Sequence, residues 1–474
     1  MPEEITRLIF VPLPVLSHLL PTIKLAKLLT DRDDRLSITL LIINLQFDNK
    51  ISSYIKNSPN SRINFVELER VECDKSPKTT IFEVIASQKP AVRAAAAAAA
   101  AGGAPEPGKL AGVVYDNLCS SMMDVAAELG VPSYIFFTCG AAILGLLFRL
   151  AGLMGGRDRA LTEYEGSDAE ISVATFFNPV PAKVWPSTVL VDGQGGFLGI
   201  VERLRSADGI IVNTFLELEE HAITALAGDD GAPAIYPLGP LLQDEEEPAN
   251  DGARSRRVEI LEWLDEQPDS SVVFLCFGTN GWFNEAQVRE IAAALEGSGS
   301  RFLWSLRKPP LKENGEGPRE YENPDEVLPE GFLERTASTG MVIGWAPQMA
   351  VLSHRAVGGF VSHCGWNSIL ESISCGVPIA TWPMFADQQS NAFQLVKELE
   401  IAVEIKMDYR KEASIIVTSD KIEKGIRDLM NPKNKIRSNV KKLMGKSRGA
   451  LIEGGSSYNF VHFFIENVKG NLIP

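Results

Sequence analysis

Short, continuously apolar segments alternate with helical segments along almost the whole of this sequence. The first unit joins an apolar strand at residues 8–11 to a helix after Pro21 and a second strand at 37–44. Later apolar segments follow at residues 111–115, 209–213, 271–278, 301–306, 341–345 and 358–363. Strands buried on both faces appear as continuous apolar runs, and crossover helices connect parallel strands. The alternation therefore predicts an α/β fold built from doubly wound parallel sheets.

The alternation stops between residues 236 and 257, where prolines, an acidic run and small polar residues occur together. This composition is typical of linkers. A chain of 474 residues is also too long for one simple hydrophobic core. We therefore predict Rossmann-like domains at residues 1–242 and 258–450, a linker at 243–257, and a C-terminal helix at 451–474.

Charge and cysteine usage restrict the possible partners. The net charge of −15 repels polyanions, so we expect neither nucleic acid nor an anionic membrane surface as a partner. The six cysteines include no C-x-x-C pair, which argues against a zinc site or a disulfide framework and favours free thiols in the cytoplasm.

The longest uncharged run, residues 129–148, contains Gly130, Pro132 and Gly140, and it predicts a strand and a helix rather than a transmembrane span. The eight alanines at 94–101 predict a helix that ends at Gly102 and has no assigned function.

The densest group of polar side chains follows the predicted strand at 358–361. This strand leads through His363 into a helix that begins near Trp366 and ends at Gly376. A helix N-terminus binds phosphate groups, and ligands of open α/β sheets bind at the carboxyl ends of strands. Glu371 is placed to accept hydrogen bonds from ribose hydroxyls, and the indole of Trp345 to stack on a base. The alternative is that Trp345 and Trp366 are core aromatics and that Ser362 is a helix cap.

A second pair of polar residues follows two strands of the N-terminal sheet. His18 comes after the first strand and Asp116 after the strand at 111–115, so both lie at carboxyl ends and can meet. A neutral imidazole takes a proton from an attacking hydroxyl, and a carboxylate on its other nitrogen fixes the tautomer. The alternative makes His18 the first helical residue behind a Ser17 cap, and Asp116 an ordinary loop carboxylate.

The stretch from Trp345 to Gln388 closely resembles the signature box of the plant family 1 UDP-dependent glycosyltransferases, with the motifs WAPQ, HCGWNS, GVP, WP and a final DQ. The remaining chain is similar to this family as well, and most similar to its flavonoid- and terpenoid-glucosylating branch. The resemblance implies a GT-B fold, in which two Rossmann-like domains face each other across a cleft. It also implies that the last helix returns across the N-terminal domain.

The resemblance implies a role for each matching residue. Trp345 would stack on uracil, Ala346 and Gln348 would contact uracil or ribose, and Glu371 would hold the ribose hydroxyls. The residues expected to bind the diphosphate are Thr279, His363, Gly365, Asn367 and Ser368. The residues expected to face the sugar are Thr138, Trp366, Asp387 and Gln388. Val15 and Phe385 are candidates for the acceptor pocket.

The implied reaction transfers glucose from UDP-glucose, with inversion, to a hydroxyl of a small lipophilic plant metabolite such as a flavonoid, another phenolic or a terpenoid. His18 would be the general base with Asp116 as its partner, and no metal or cofactor beyond the co-substrate UDP-glucose is expected. Val15 and Ser17 stand where the family usually carries glycines, which leaves open a UDP-sugar-binding protein with impaired catalysis. Transfer to nitrogen or carbon also stays open. An oxidoreductase lacks support because no G-x-G-x-x-G follows either leading strand, and no carboxylate pair is assigned for a glycosidase.

Overall fold

A computed structural model of the protein describes residues 5–44, 61–69, 81–101, 108–155, 161–190, 196–242, 251–310, 317–411 and 415–471. Within these residues the strands are β1 (Ile5–Val11), β2 (Leu36–Ile42), β3 (Ile63–Glu67), β4 (Gly108–Asp116), β5 (Ser133–Phe137), β6 (Glu170–Ile171), β7 (Val180–Pro181), β8 (Gly209–Val212), β9 (Ala234–Pro237), β10 (Val272–Cys276), β11 (Arg301–Ser305), β12 (Gly340–Ile343), β13 (Val357–Ser362), β14 (Ile379–Thr381) and β15 (Ala402–Glu404). The helices are α1 (Leu16–Arg32), α2 (Ile81–Ser87), α3 (Lys89–Ala100), α4 (Asp124–Glu128), α5 (Ala141–Met154), α6 (Ser187–Leu190), α7 (Phe197–Arg205), α8 (Leu216–Ala227), α9 (Asp251–Asp265), α10 (Glu285–Ser298), α11 (Phe332–Thr336), α12 (Gln348–Ser353), α13 (Trp366–Cys375), α14 (Gln388–Phe393), α15 (Ser419–Met430), α16 (Lys435–Leu451) and α17 (Ser456–Gly470).

The described strands form two large sheets, one in each half of the chain. The first sheet has the order β3-β2-β1-β4-β5-β8-β9 and the second the order β12-β11-β10-β13-β14-β15. Neighbouring strands within each of these sheets are parallel. Every residue of β8, β10 and β13 is buried, as continuously apolar strands in parallel sheets require. The predicted fold of two doubly wound α/β units is confirmed.

Each large sheet has one point at which its strand order reverses. The reversal lies between β1 and β4 in the first sheet and between β10 and β13 in the second. At such a point the connecting helices leave on opposite faces, and a crevice opens at the carboxyl ends of the two strands. His18 follows β1 and Asp116 ends β4, whereas Thr279 follows β10 and His363 follows β13. Both groups of predicted site residues therefore lie at a reversal point.

The predicted linker at 243–257 is partly helical. Helix α9 begins at Asp251, and residues 243–250 lie outside the described part of the chain. Ala253 and the arginines that follow it favour helix formation, which accounts for the early start. The division into domains at 242 and 258 stays a prediction.

Helix α17 lies against the N-terminal sheet. Its buried residues Val461, Phe464 and Val468 share a hydrophobic cluster with Leu8 and Phe10 of β1. Just beyond the helix, the side-chain amide of Asn471 donates to the hydroxyl of Tyr134 in β5 at 2.8 Å, and within it Lys469 forms an ion pair with Asp33. The final helix thus joins the N-terminal unit.

The alanine run lies in helix α3, which has a packed face. Val92 and Ala96 are buried, and the exposed side of the helix carries ion pairs from Lys89 to Asp124 and from Arg93 to Glu128. The predicted end of this helix at Gly102 lies outside the described residues.

The uncharged run at 129–148 forms β5 and part of α5, as predicted. Among the residues that the structure describes, no helix is both long enough and apolar enough to cross a membrane. The described cysteines form no disulfide bonds; they are Cys119, Cys139, Cys276, Cys364 and Cys375. Cys73 lies outside the described residues.

Candidate active site

His18 and Asp116 meet where the carboxyl ends of β1 and β4 adjoin. Nδ1 of His18 lies 2.7 Å from Oδ2 of Asp116. The other carboxylate oxygen of Asp116 accepts a hydrogen bond from the backbone N–H of Leu118 at 2.9 Å, which orients the carboxylate. Because an ionised carboxylate only accepts hydrogen bonds, the neutral form of His18 carries its hydrogen on Nδ1 and keeps the lone pair of Nε2. The arrangement has the geometry of an oriented general base.

Helix α1 begins before Ser17, so Ser17 does not cap it as the alternative proposed. The helix begins at Leu16, with Val15 in the cap position and without a capping side chain. His18 is therefore in the first turn of the helix and faces Asp116, which is fully buried. The two residues form one unit, and Asp116 is not an ordinary loop carboxylate.

The pKa of His18 is raised above its usual value of 6.5. Burial alone lowers the pKa, but the negative charge of Asp116, its hydrogen bond and the charge of Asp387 together outweigh that effect. The side chain of His18 is 21% exposed, so its free nitrogen remains accessible from the cleft. A raised pKa makes the imidazole a stronger base toward an incoming hydroxyl.

Helix α13 presents an uncapped N-terminus at the reversal point of the second sheet. Gly365 occupies the cap position without a side chain, and the first turn contains no acidic residue. The first backbone N–H groups of a helix lack intrahelical partners and lie at the positive end of its dipole, which together favour an anion. Ser362 does not cap this helix, since its hydroxyl accepts from the backbone N–H of Cys364 at 3.1 Å.

The ring of His363 packs between Gly278 and Gly365 at the start of this helix. A Cβ atom would approach its Nε2 to 2.6 Å if added at Gly278 and to 2.5 Å if added at Gly365. Gly278 also has a φ of 71°, which L side chains rarely adopt. Burial lowers the pKa of His363 to about 4, so its ring is neutral near pH 7. The ring can therefore donate a hydrogen bond to phosphate but does not supply a positive charge.

Gln348 connects two of the residues that were predicted to hold ribose and diphosphate. Its side-chain Nε2 donates to Oε2 of Glu371 at 2.6 Å and to Oγ of Ser368 at 2.8 Å. Glu371 is 4% exposed, so this hydrogen bond compensates part of the cost of burying its charge. The three side chains form one network along the first turns of α13.

Trp345 is 36% exposed, which contradicts the alternative that it is a core aromatic. Its backbone N–H donates to Oε1 of Glu320 at 3.1 Å and fixes the main chain, while the ring remains accessible. Ala346 beside it is buried, and Thr279 after β10 is exposed. The stacking of uracil on Trp345 stays a prediction, as do the ligand contacts of Ala346 and Thr279.

Asp387 and Gln388 lie at the start of α14, and each side chain has one end engaged. Oε1 of Gln388 accepts from the backbone N–H groups of Met384 and Phe385, at 2.9 and 3.1 Å. Oδ2 of Asp387 accepts from Asn391 at 3.0 Å and from the thiol of Cys139. Within the described residues, the amide nitrogen of Gln388 and Oδ1 of Asp387 make no hydrogen bond. One donor and one acceptor therefore remain for adjacent sugar hydroxyls.

The indole of Trp366, a residue predicted to face the sugar, has its N–H engaged by the N-terminal half. Its Nε1–H donates to the backbone carbonyl of Asn213 at 2.7 Å, and the residue is 5% exposed. The ring touches Gly140, where an added Cβ would meet a ring carbon at 2.7 Å. Trp366 thus packs against the N-terminal half, and its contact with the sugar stays a prediction.

The two predicted groups of site residues also touch each other. The side-chain amide of Asn367 donates to the backbone carbonyl of Ser17 at 2.8 Å, and Oγ1 of Thr138 lies 3.3 Å from Nδ1 of His18. The His18 loop and the start of α13 therefore face each other directly.

Val15 follows β1 and Phe385 follows β14, so the two residues belong to different halves of the chain. Val15 packs against the hydrophobic cluster that includes Val11 and Leu13, and Phe385 packs against the cluster of the second sheet. Their role in an acceptor pocket stays a prediction.

Sequence reasoning missed residues that connect the two halves. The buried carboxylate of Glu219 accepts from the backbone N–H groups of Ala141 and Ala142, both at 2.9 Å, and from Gln394 at 2.8 Å. Cys139 contacts Asp387, as described above. The position of Cys139 directly after Thr138 was the one available signal in the sequence. Among the described residues, no group of three or more His, Cys, Asp or Glu side chains is arranged to hold a metal ion.

Comparison with known proteins gives consistent results. The family model described as UDP-glucoronosyl and UDP-glucosyl transferase matches residues 252–444. The chain is 48% identical over 479 residues to UDP-glucose flavonoid 3-O-glucosyltransferase 6 of Fragaria ananassa, covering 98% of this chain and 99% of that protein. It is 54% identical over 365 residues to anthocyanidin 3-O-glucosyltransferase 6 of Manihot esculenta, covering 77% and 92%.

Solved structures give the same picture. A UGT transferase from Siraitia grosvenorii in complex with UDP superposes with a TM-score of 0.87 at 44% identity and covers 98% of this chain and 100% of its own. UGT71G1 of Medicago truncatula complexed with UDP-glucose gives a TM-score of 0.86 at 39% identity, with coverage of 98% and 99%.

Proposed function

This chain belongs to the UDP-glucoronosyl and UDP-glucosyl transferase family, among the plant family 1 enzymes, and we propose that it transfers glucose from UDP-glucose to a hydroxyl of a small plant metabolite. The observation that carries this proposal is the pair His18 and Asp116, 2.7 Å apart, facing the uncapped N-terminus of α13. A base and an anion site on opposite sides of one cleft are what a displacement at the anomeric carbon of a nucleotide sugar requires.

In the proposed mechanism, Nε2 of His18 removes the proton from the acceptor hydroxyl as its oxygen attacks the anomeric carbon. Asp116 holds Nδ1 and stabilises the imidazolium that forms. The attack comes from the face opposite the diphosphate, so an α-linked donor gives a β-glucoside. The leaving UDP keeps both electrons of the broken C–O bond and gains negative charge.

The start of α13 would stabilise this charge. Backbone N–H groups from Trp366 to Ser368, with His363 and Thr279, are the proposed partners of the diphosphate, and their arrangement supports a reaction without a metal ion. Glu371 would hold the ribose, and Asp387 and Gln388 would bind sugar hydroxyls with the free donor and acceptor described above. Trp366 would contribute its backbone, since its indole N–H is bound to Asn213.

The relatives support a class of acceptor for this chain. Two of them are named for flavonoid and anthocyanidin 3-O-glucosyl transfer, which supports a phenolic acceptor hydroxyl. Other phenolics and terpenoids remain within the proposal.

The described cysteines form no disulfide bonds, which supports a cytoplasmic location.

The alternative of a UDP-sugar-binding protein without turnover rests on Val15 and Ser17. Val15 packs against a hydrophobic cluster, and Ser17 uses its backbone carbonyl to bind Asn367. The intact pair of His18 and Asp116 favours the enzyme over this alternative.

The proposal is tested by incubating the protein with UDP-glucose and a panel of flavonoids, simple phenols, terpenoids and amines, followed by mass spectrometry. We expect products that are one hexose heavier and whose linkage is β by NMR coupling. Binding of UDP-glucose without any hexosylated product would support the binding protein, and Val15→Gly with Ser17→Gly would then be expected to restore turnover. Absence of UDP binding would contradict the donor site.

The pH dependence of kcat/KM gives a separate prediction. The base must be neutral in the free enzyme, so activity falls as the pH drops through the raised pKa of His18, and the acid limb should lie above 6.5. In Asp116→Asn the negative charge that raises the pKa is lost while burial still lowers it. We expect the acid limb to move to lower pH and the plateau to fall about a hundredfold. An unchanged acid limb would exclude His18 as the titrating base.

A further inference from the structure

The thiol of Cys139, in the N-terminal unit, contacts Asp387, a residue that is proposed to bind the sugar. Cys139 lies in the turn between β5 and α5, and the three residues of this turn each contact a different part of the site. Thr138 lies beside His18, Cys139 beside Asp387, and Gly140 beside the ring of Trp366. The turn therefore links the base, the sugar site and the helix that faces the diphosphate.

We propose that Cys139 is a positioning residue for donor-sugar recognition, in which its thiol orients the carboxylate of Asp387 across the domain interface. The inference rests on the proposed function, because it presupposes that Asp387 binds the glucose of UDP-glucose. Cys139 does not act on the reacting atoms.

The hydrogen bonds around Asp387 support this role. Its Oδ2 accepts from both Cys139 and the amide of Asn391, so two donors from different parts of the chain hold one oxygen. Asn391 is itself fixed, because the same amide also donates to the backbone carbonyl of Cys364 at 3.0 Å. With Oδ2 held, the direction of Oδ1 is determined, and an acceptor with a determined direction discriminates between hydroxyl positions.

The state of the thiol fits a donor. Cys139 is 9% exposed, and burial together with the neighbouring Asp387 raises the pKa of the thiol well above its usual value. The thiol therefore stays protonated at neutral pH and keeps the hydrogen that the carboxylate accepts. A thiolate at this place would repel Asp387.

The segment before Asp387 is strained, which makes a second support useful. Ala386 has a φ of 57°, a left-handed conformation that is costly for a residue with a Cβ. Such conformations persist where surrounding contacts hold them. Because one of these contacts comes from the N-terminal half, the sugar site is complete only when the two halves are together.

The test compares the binding of UDP-glucose with that of UDP, which lacks the sugar, by isothermal titration calorimetry. In Cys139→Ala we expect the Kd for UDP-glucose to rise about fivefold while the Kd for UDP changes less than twofold. Cys139→Ser keeps a donor and should recover most of the loss. Cys375→Ala, a half-buried cysteine at the end of α13, serves as the matched control.

A double-mutant cycle with Asp387→Ala separates orientation from packing. In that background the effect of Cys139→Ala should become much smaller, because the carboxylate that the thiol orients is absent and only the 3.6 Å contact of the thiol with Oδ1 of Asn391 remains. Equal losses for UDP and UDP-glucose, an unchanged Kd for both, or full additivity in the cycle would each overturn the proposal. A parent protein that binds UDP-glucose without transferring hexose would contradict the proposed function, while this comparison would still decide the role of Cys139.

Discussion

Replacement of His18 by alanine is expected to lower kcat for glucosyl transfer about a thousandfold. The variant removes the nitrogen whose lone pair faces the cleft, and Asp116 is too far inside to replace it, since its side chain is fully buried. The hydroxyl must then attack without losing its proton to the protein. Initial rates measured with the best acceptor of the panel, at saturating UDP-glucose, give this value.

Donor binding separates this effect from misfolding. Asn367 binds the backbone carbonyl of Ser17, which alanine at position 18 retains, and Thr138 is the predicted sugar-site residue that loses its contact with the imidazole. We therefore expect the Kd for UDP-glucose in His18→Ala to stay within about twofold of the parent value. His462→Ala, at an exposed position of α17, is the matched control and should keep full activity. A turnover number within tenfold of the parent would rule out His18 as the base.

The second large effect is expected for Glu371→Gln. The substitution keeps the size of the side chain but removes the charge and one of the two acceptor oxygens, so it weakens both the bond from Gln348 and the proposed bonds to the ribose hydroxyls. We expect the KM for UDP-glucose and the inhibition constant for UDP to rise together, by about thirtyfold. The two constants should move equally because both ligands contain the ribose.

Two further variants check this interpretation. Gln348→Leu leaves the carboxylate in place but removes its donor, and its effect on the same constants should be smaller, about fivefold. Glu334→Gln changes an exposed glutamate of α11 and should leave both constants unchanged. A rise in the KM for the acceptor alone, without a change for UDP, would show that Glu371 does not contact the ribose.

The sequence predicted those features that depend on local patterns. The continuously apolar segments predicted the two parallel sheets. Gly376 and Pro378 predicted the end of α13 at its observed position. Because the carboxyl ends of parallel strands adjoin, the approach of His18 to Asp116 was predictable from strand positions alone. The helix within the predicted linker was missed because the acidic and proline-rich residues before it dominated the composition of the segment.

Contacts between the two halves were not predictable in this way. The orientation of the Trp366 indole depends on how α13 faces Asn213, which is distant in sequence. Glu219 interrupts helix α8 with a φ of −130° and a ψ of 36°, and its carboxylate accepts a hydrogen bond from Gln394 in the other half. The pattern around Glu219 does not indicate a partner in the other half, and the only signal for Cys139 is its position after Thr138. Such pairs are set by the packing of the assembled molecule.

The return of α17 to the N-terminal sheet has a consequence for recombination between relatives. The polypeptide passes from the first unit to the second and back again, so the N-terminal unit is built from two separate segments of the sequence. A chimera that joins the first half of one enzyme to the second half of another would place a foreign α17 against β1 and against Tyr134, its partner beyond the helix end. A chimera with two crossover points, which keeps α17 with its own N-terminal unit, preserves these contacts.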